Sequence, residues 1–122
     1  MEFNFNSQTC TTKEQSERLL TLGLKAETAD MSISTQSFDT DNGIKYSLIP
    51  YSECKYRIMY NIIPAWSLHR LLYIIPNEYF TDIDFQDIIQ RCIFATSTLY
   101  NDLIDLIEAL IKEGYIYDEY LK

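Results

Sequence analysis

At 122 residues the chain is the size of one domain, and it is long enough to bury a sizeable core without staples. Apolar residues make up 47% and charged residues 23%, with only three Gly and three Pro, which excludes wholesale disorder and a loop-rich fold. The net charge of −8 disfavours a general nucleic-acid binder, because an acidic surface repels phosphates.

In chain order, residues 1–10 form a polar and aromatic leader with the character of an edge strand. A helix is expected over about residues 12–22. Thr12 with Gln15, or Thr11 with Glu14, has capping-box spacing, Leu19, Leu20 and Leu22 follow, and Gly23 sits where a C′ glycine ends a helix. Residues 31–49 read as a hairpin. Met31, Ile33 and Thr35 alternate with serines, Ile44, Tyr46 and Leu48 alternate with Lys45 and Ser47, and Asn42-Gly43 is a strong two-residue turn signal. The acids around this turn do not fit an EF-hand, whose twelfth position here is Ile49.

Residues 55–63 alternate as a third strand, ended by Pro64 because proline cannot donate to a ladder. Ser67 is placed to cap a second helix with Leu68, Leu71, Leu72 and Ile75 on its apolar face, stopped by Pro76. Residues 79–96 fit both templates. Phe85, Ile88, Ile89, Cys92 and Ile93 have helical spacing, and the run from Ile88 to Thr96 also suits a buried strand; helix is the expectation taken. Over 98–113 the stripe Leu99, Leu103, Leu106, Ile107, Leu110 and Ile111 opposes Asn101, Asp102, Asp105, Glu108 and Lys112, the pattern of an amphipathic helix closed by Gly114. Tyr115, Tyr117, Tyr120 and Leu121 then form an aromatic tail. No repeat or linker divides the chain, so residues 1–122 are read as one domain.

Cys10, Cys54 and Cys92 are widely separated and odd in number, so neither a zinc ribbon nor a redox motif is supported, and three reduced thiols are expected. The start has no basic n-region and no apolar h-region, and no run approaches the ~18 apolar residues of a membrane span. A cytoplasmic location without a membrane role is therefore expected.

Residues carrying chemistry are few. His69 stands alone, and Ser67 two positions before it points to another helix face. Glu78, Asp82, Asp84 and Asp87 could bind Mg²⁺ or serve as acid and base, and they equally suit the start of a helix, where acids offset the dipole. No catalytic, metal or cofactor residue is assigned. Residues 76–122 carry ten acids and three bases, a balance suited to a protein partner with a basic surface. Ten tyrosines add contact area with a hydroxyl, or simply pack the core. The candidate interaction residues are Asp102, Asp105, Glu108, Tyr115, Tyr117 and Trp66. Trp66 is also the expected anchor of the second helix on the sheet.

The run Ile63-Pro64-Ala65-Trp66-Ser67-Leu68-His69-Arg70-Leu71-Leu72, ending at Pro76, resembles a motif in short uncharacterised proteins of Bacteroides-type gut bacteria, their phages and mobile elements. Lys13 to Leu24 with Ala29-Asp30-Met31 is similar to their opening helix, and Asn101 to Asp105 with Glu113-Gly114-Tyr115 to their closing helix. Together these stretches cover about half the chain. The resemblance implies strands between the middle and last helices, and no activity.

These readings set the expectations. The fold is α+β, a small antiparallel sheet packed against two to four helices. The function is that of a non-enzymatic, protein-binding accessory protein of a phage or mobile element, with an acidic nucleic-acid mimic as one variant. The alternatives are a small metal-dependent enzyme using Asp82, Asp84 and Asp87, and a structural subunit of a homo-oligomer.

Overall fold

The computed structural model describes residues 8–34, 45–55, 57, 61–76, 78–79 and 97–122. Its architecture is α+β, as expected: among the described residues a three-stranded antiparallel sheet and three α-helices. The helices are α1 (Lys13–Thr21), α2 (Leu68–Ile74) and α3 (Ser97–Lys112). The strands are β1 (Met31–Ser34), β2 (Lys45–Ser47) and β3 (Ile62–Ala65), in the order β2-β1-β3.

α1 starts through a full capping box. The Thr12 hydroxyl accepts the Gln15 N–H at 3.2 Å and the Gln15 carboxamide accepts the Thr12 N–H at 2.9 Å, so of the two spacings in the sequence Thr12–Gln15 is the one used. Gly23, at φ +107, ends it in a conformation L-residues rarely adopt. This helix is mostly polar, and only Leu19 of its leucines is fully covered. It is held instead by buried polar contacts: Thr11 and Ser16 hydroxyls bond at 2.7 Å, and the Gln15 amide donates to Asn101 of α3 at 2.8 Å.

The sheet revises two details of the sequence reading. An uninterrupted ladder closed by Asn42-Gly43 would set Ser34 opposite Tyr51, but Ser34 pairs with Lys45, so that dipeptide does not set the register. The connection itself, residues 35–44, lies outside the described residues. β3 does not stop before Pro64; it runs through it, with Pro64 opposite Ser32. Among the described residues β3 is an edge of this sheet, where a missing N–H need not break a ladder. Its start is also later than expected. Asn61 has φ +51, and the Ile62 N–H bonds the Arg57 carbonyl at 2.8 Å, so extended pairing begins only at Ile62. Tyr56, Ile58, Met59 and Tyr60 lie outside the described residues, as do residues 80–96 with the helix expected there, Asp82, Asp84, Asp87 and Cys92.

Two apolar clusters form. The smaller one joins Cys10, Met31, Ile33 and Ala65 with Ile63, where the β1–β3 register places Met31 beside Ala65 and Ile33 beside Ile63. The larger one gathers Leu19, Leu24, Trp66, Leu71, Ile74 and Ile75 around α3. The buried seam of α3 is Leu99, Tyr100, Leu103, Ile104, Ile107 and Leu110, so it includes Tyr100 and Ile104; Leu106 and Ile111, expected at its centre, are only partly covered at its margin. Each such side chain contributes about 1.5–3 kcal/mol of transfer free energy.

Trp66 closes the junction of sheet and helix. It is fully buried, and its indole N–H donates to the Thr28 hydroxyl at 2.9 Å. Ser67 caps α2 by accepting the Arg70 N–H at 3.1 Å. The Ser67 N–H and hydroxyl both donate to the Asp30 carboxylate. Two consecutive positions, Trp66 and Ser67, thereby fix the angle at which α2 leaves the sheet.

Candidate functional site: an aromatic groove between α2 and the C-terminal strap

After Gly114, at φ +79, the chain turns back across the molecule. Ile116 plugs into the core, and residues 118–120 form a single 3₁₀ turn. The Lys25 N–H bonds the Tyr120 carbonyl and the Lys122 N–H bonds the Gly23 carbonyl, both at 2.8 Å, and Leu24 bridges Leu121. The tail is thus a strap pinned to the segment after α1, and the pinning holds Tyr117 and Tyr120 edge to face at 5.8 Å between centroids.

Against this strap stands the outer face of α2. His69, Leu72, Tyr73, Ile75 and Pro76 form one wall and Tyr117 and Tyr120 the other, enclosing a groove of about 480 Å³. Tyr73 is 61% exposed and Tyr117 53% exposed, large aromatic rings left uncovered beside each other. The Tyr120 phenol is pushed up from its ordinary range by burial first and then by neighbouring Tyr73 and Glu119.

A second groove of about 480 Å³ adjoins the first and shares Tyr73 and Tyr120 with it. Lys25, Glu27, Thr28, Arg70, Ile74 and Glu119 complete its lining. The Arg70 guanidinium lies 5.5 Å from the Tyr73 ring centroid. Its Nε is covered and makes no hydrogen bond.

The residues singled out in the sequence fall in different places. Tyr117 lines the groove. Tyr115 is exposed beyond its end and tilts against Tyr79 at 6.0 Å. Trp66 is a correction: with no exposed surface it serves only as the core anchor and offers nothing to a partner. The acidic row on α3 is corrected in part. Arg18 of α1 bonds Asp105 at 2.6 Å and Glu108 at 2.8 Å, and Lys112 stands 3.6 Å from Glu108. These two carboxylates tie α1 to α3 and do not form a bare recognition face. The Arg18 hydrogen bond, followed by the Lys112 charge, holds the Glu108 carboxyl below the usual carboxylate range.

Among the described residues no group of three His, Cys, Asp or Glu is placed to hold a metal ion, and no helix is long and apolar enough to cross a membrane. Cys10 is buried and its thiol is raised to about 11 by burial and then by Asp30, which makes it a poor nucleophile. His69 lines the groove from an exposed position on α2. Tyr73 and Arg70 had no signal in the sequence beyond lying opposite the apolar stripe of α2. The groove depends on the strap, whose pairing partners are some 95 residues away in sequence.

No family model matches the chain, and neither a curated protein nor a solved structure matches it.

Proposed function

We propose that this chain is a non-enzymatic accessory protein of a phage or mobile element that acts by binding another protein through the groove between α2 and the C-terminal strap. The observation that carries the binding reading is the groove itself. Tyr73 and Tyr117 expose large rings on facing walls whose backbones are fixed by the α2 cap and by the strap's pairing with residues 23–25. Exposed tyrosines on a rigid concave frame supply contact area at low entropic cost, the composition of binding hot spots. The phage or mobile-element origin rests on the resemblance of the Ile63–Leu72 run and of the opening and closing helices. The net charge of −8 suits a partner with a basic surface. The nucleic-acid mimic variant rests on the ten acids of residues 76–122, two of which, Asp105 and Glu108, are engaged by Arg18.

The test is an affinity capture from the native cell's lysate with wild type, with the groove pair Tyr73→Ala and Tyr117→Ala, and with the α3 variant Asp102→Lys. A single stoichiometric partner lost only in the groove pair supports the proposal. A partner lost only in the α3 variant moves recognition to the acidic face, and recovery of the chain's own copies alone replaces the proposal with a homo-oligomer.

A further inference from the structure

The two adjoining grooves differ in chemistry, and the difference defines a ligand. The first is walled by Leu72, Ile75, Pro76 and tyrosine rings. The second presents two cations, Lys25 and Arg70, and two carboxylates, Glu27 and Glu119. Among the described residues no ion pair joins any of these four, although all line one small concavity. Arg70 is the most unusual of them. Its guanidinium lies against the Tyr73 ring and near the Tyr120 phenol, and its covered Nε has no hydrogen-bond partner among the described residues. A covered donor of a charged group left without an acceptor is destabilising, so a native arginine of this kind calls for an explanation.

We infer that Arg70 is the anchor for a carboxylate of the bound partner, in a segment that sets one Asp or Glu side chain next to an apolar side chain. This rests on the reading of the groove as a protein-binding site. A carboxylate entering the groove gives the planar guanidinium fork a charged acceptor while the arginine keeps its place against Tyr73. Lys25 lies on the same lining and adds a second, softer attraction. The neighbouring apolar side chain enters between Leu72, Ile75 and Tyr117. Glu27 and Glu119 set the limit on charge: they repel a second negative group, so the site takes a singly charged carboxylate in preference to a doubly charged phosphate.

The experiment is selection from a synthetic library of randomised 12-residue peptides, with phosphoserine included among the building blocks, against wild type, Arg70→Ala, Arg70→Lys and Tyr117→Ala. Wild type is expected to enrich Asp or Glu beside an aliphatic or aromatic residue. Arg70→Ala and Arg70→Lys are expected to bind the best peptides about ten- to a hundredfold more weakly and to lose the acid preference while keeping the apolar one. Tyr117→Ala is expected to weaken binding with the acid preference intact. Arg70→Lys keeps the charge and the stem, and so decides the matter if Arg70→Ala does not melt cooperatively. Apolar enrichment without an acid preference, an acid preference unchanged in both Arg70 variants, or a preference for phosphoserine overturns the inference and leaves the groove reading standing. Absence of any enrichment with wild type overturns both.

Discussion

Replacing Trp66 by Phe and Thr28 by Val, singly and together, measures the bond that joins the second helix to the segment before the sheet. The indole N–H donates to the Thr28 hydroxyl at 2.9 Å, and that hydroxyl donates in turn to the Lys25 carbonyl at 2.7 Å. Trp66→Phe removes the N–H and part of a fully buried ring, but leaves the Thr28 hydroxyl with its carbonyl acceptor. The expected loss is about 1.5–3 kcal/mol, from one net hydrogen bond plus a partly filled void. Thr28→Val instead strands a buried indole donor and removes the bond to Lys25, for about 1–3 kcal/mol. In the double variant no donor is stranded, so the combined loss falls short of the sum of the single losses by about 1 kcal/mol. Urea denaturation followed by far-ultraviolet circular dichroism reads this out, because Trp66 is the sole tryptophan and its fluorescence disappears with it. Losses that add to within about 0.3 kcal/mol would refute the coupling and with it the anchoring role of this bond.

Arg18→Ala is expected to lower the melting temperature by no more than about 3 °C, with the difference shrinking in 0.5 M NaCl, because both its bridges are near the surface. The folded state depresses the Glu108 carboxyl, so the wild-type advantage is present above the ordinary carboxylate range and disappears as pH falls through it; melting curves from pH 7 to pH 3 check the sign. Native Cys10 is expected to resist iodoacetamide at pH 7.5 and to react once urea opens the fold, as seen by peptide mass spectrometry, since its thiol is held at about 11. Gly114→Ala is expected to cost about 1 kcal/mol by urea melting, and Gly114→Asn less: a Cβ there meets nothing, so the loss comes from the positive φ alone.

Signals confined to a few neighbouring residues were legible in the sequence. Thr12 with Gln15, Gly23, Ser67 and Gly114 mark helix ends because capping is settled within one turn, and each performs that role. The apolar period of α3 named the right face, though Tyr100 and Ile104 belong to its buried seam as much as Leu103 does. Features set by distant partners were not legible. Pro64 breaks a strand only where its missing N–H would face a ladder, and that depends on which side of β3 is paired. Asp105 and Glu108 read as candidate interaction residues on a polar face because Arg18, 87 and 90 positions earlier, leaves no periodic mark opposite them. The groove was hidden for the same reason. Tyr117 was visible as an aromatic in an acidic tail, but Arg70 and Tyr73 become its neighbours only through the strap.

That strap also bears on how the chain assembles. The first helix buries little on its own, and its polar contacts wait for Asn101, Asp105 and Glu108, while Gly23 and Lys25 wait for Tyr120 and Lys122. Contacts of such long sequence separation slow folding, because the intervening chain must be closed before they repay its entropy. During synthesis β1 can pair as soon as β2 and β3 are made, but the contacts of α1 with α3 and of Gly23–Lys25 with the strap cannot form until residues 101–122 have emerged, and Leu19 and Leu24 make that interval one in which a chaperone has something to hold.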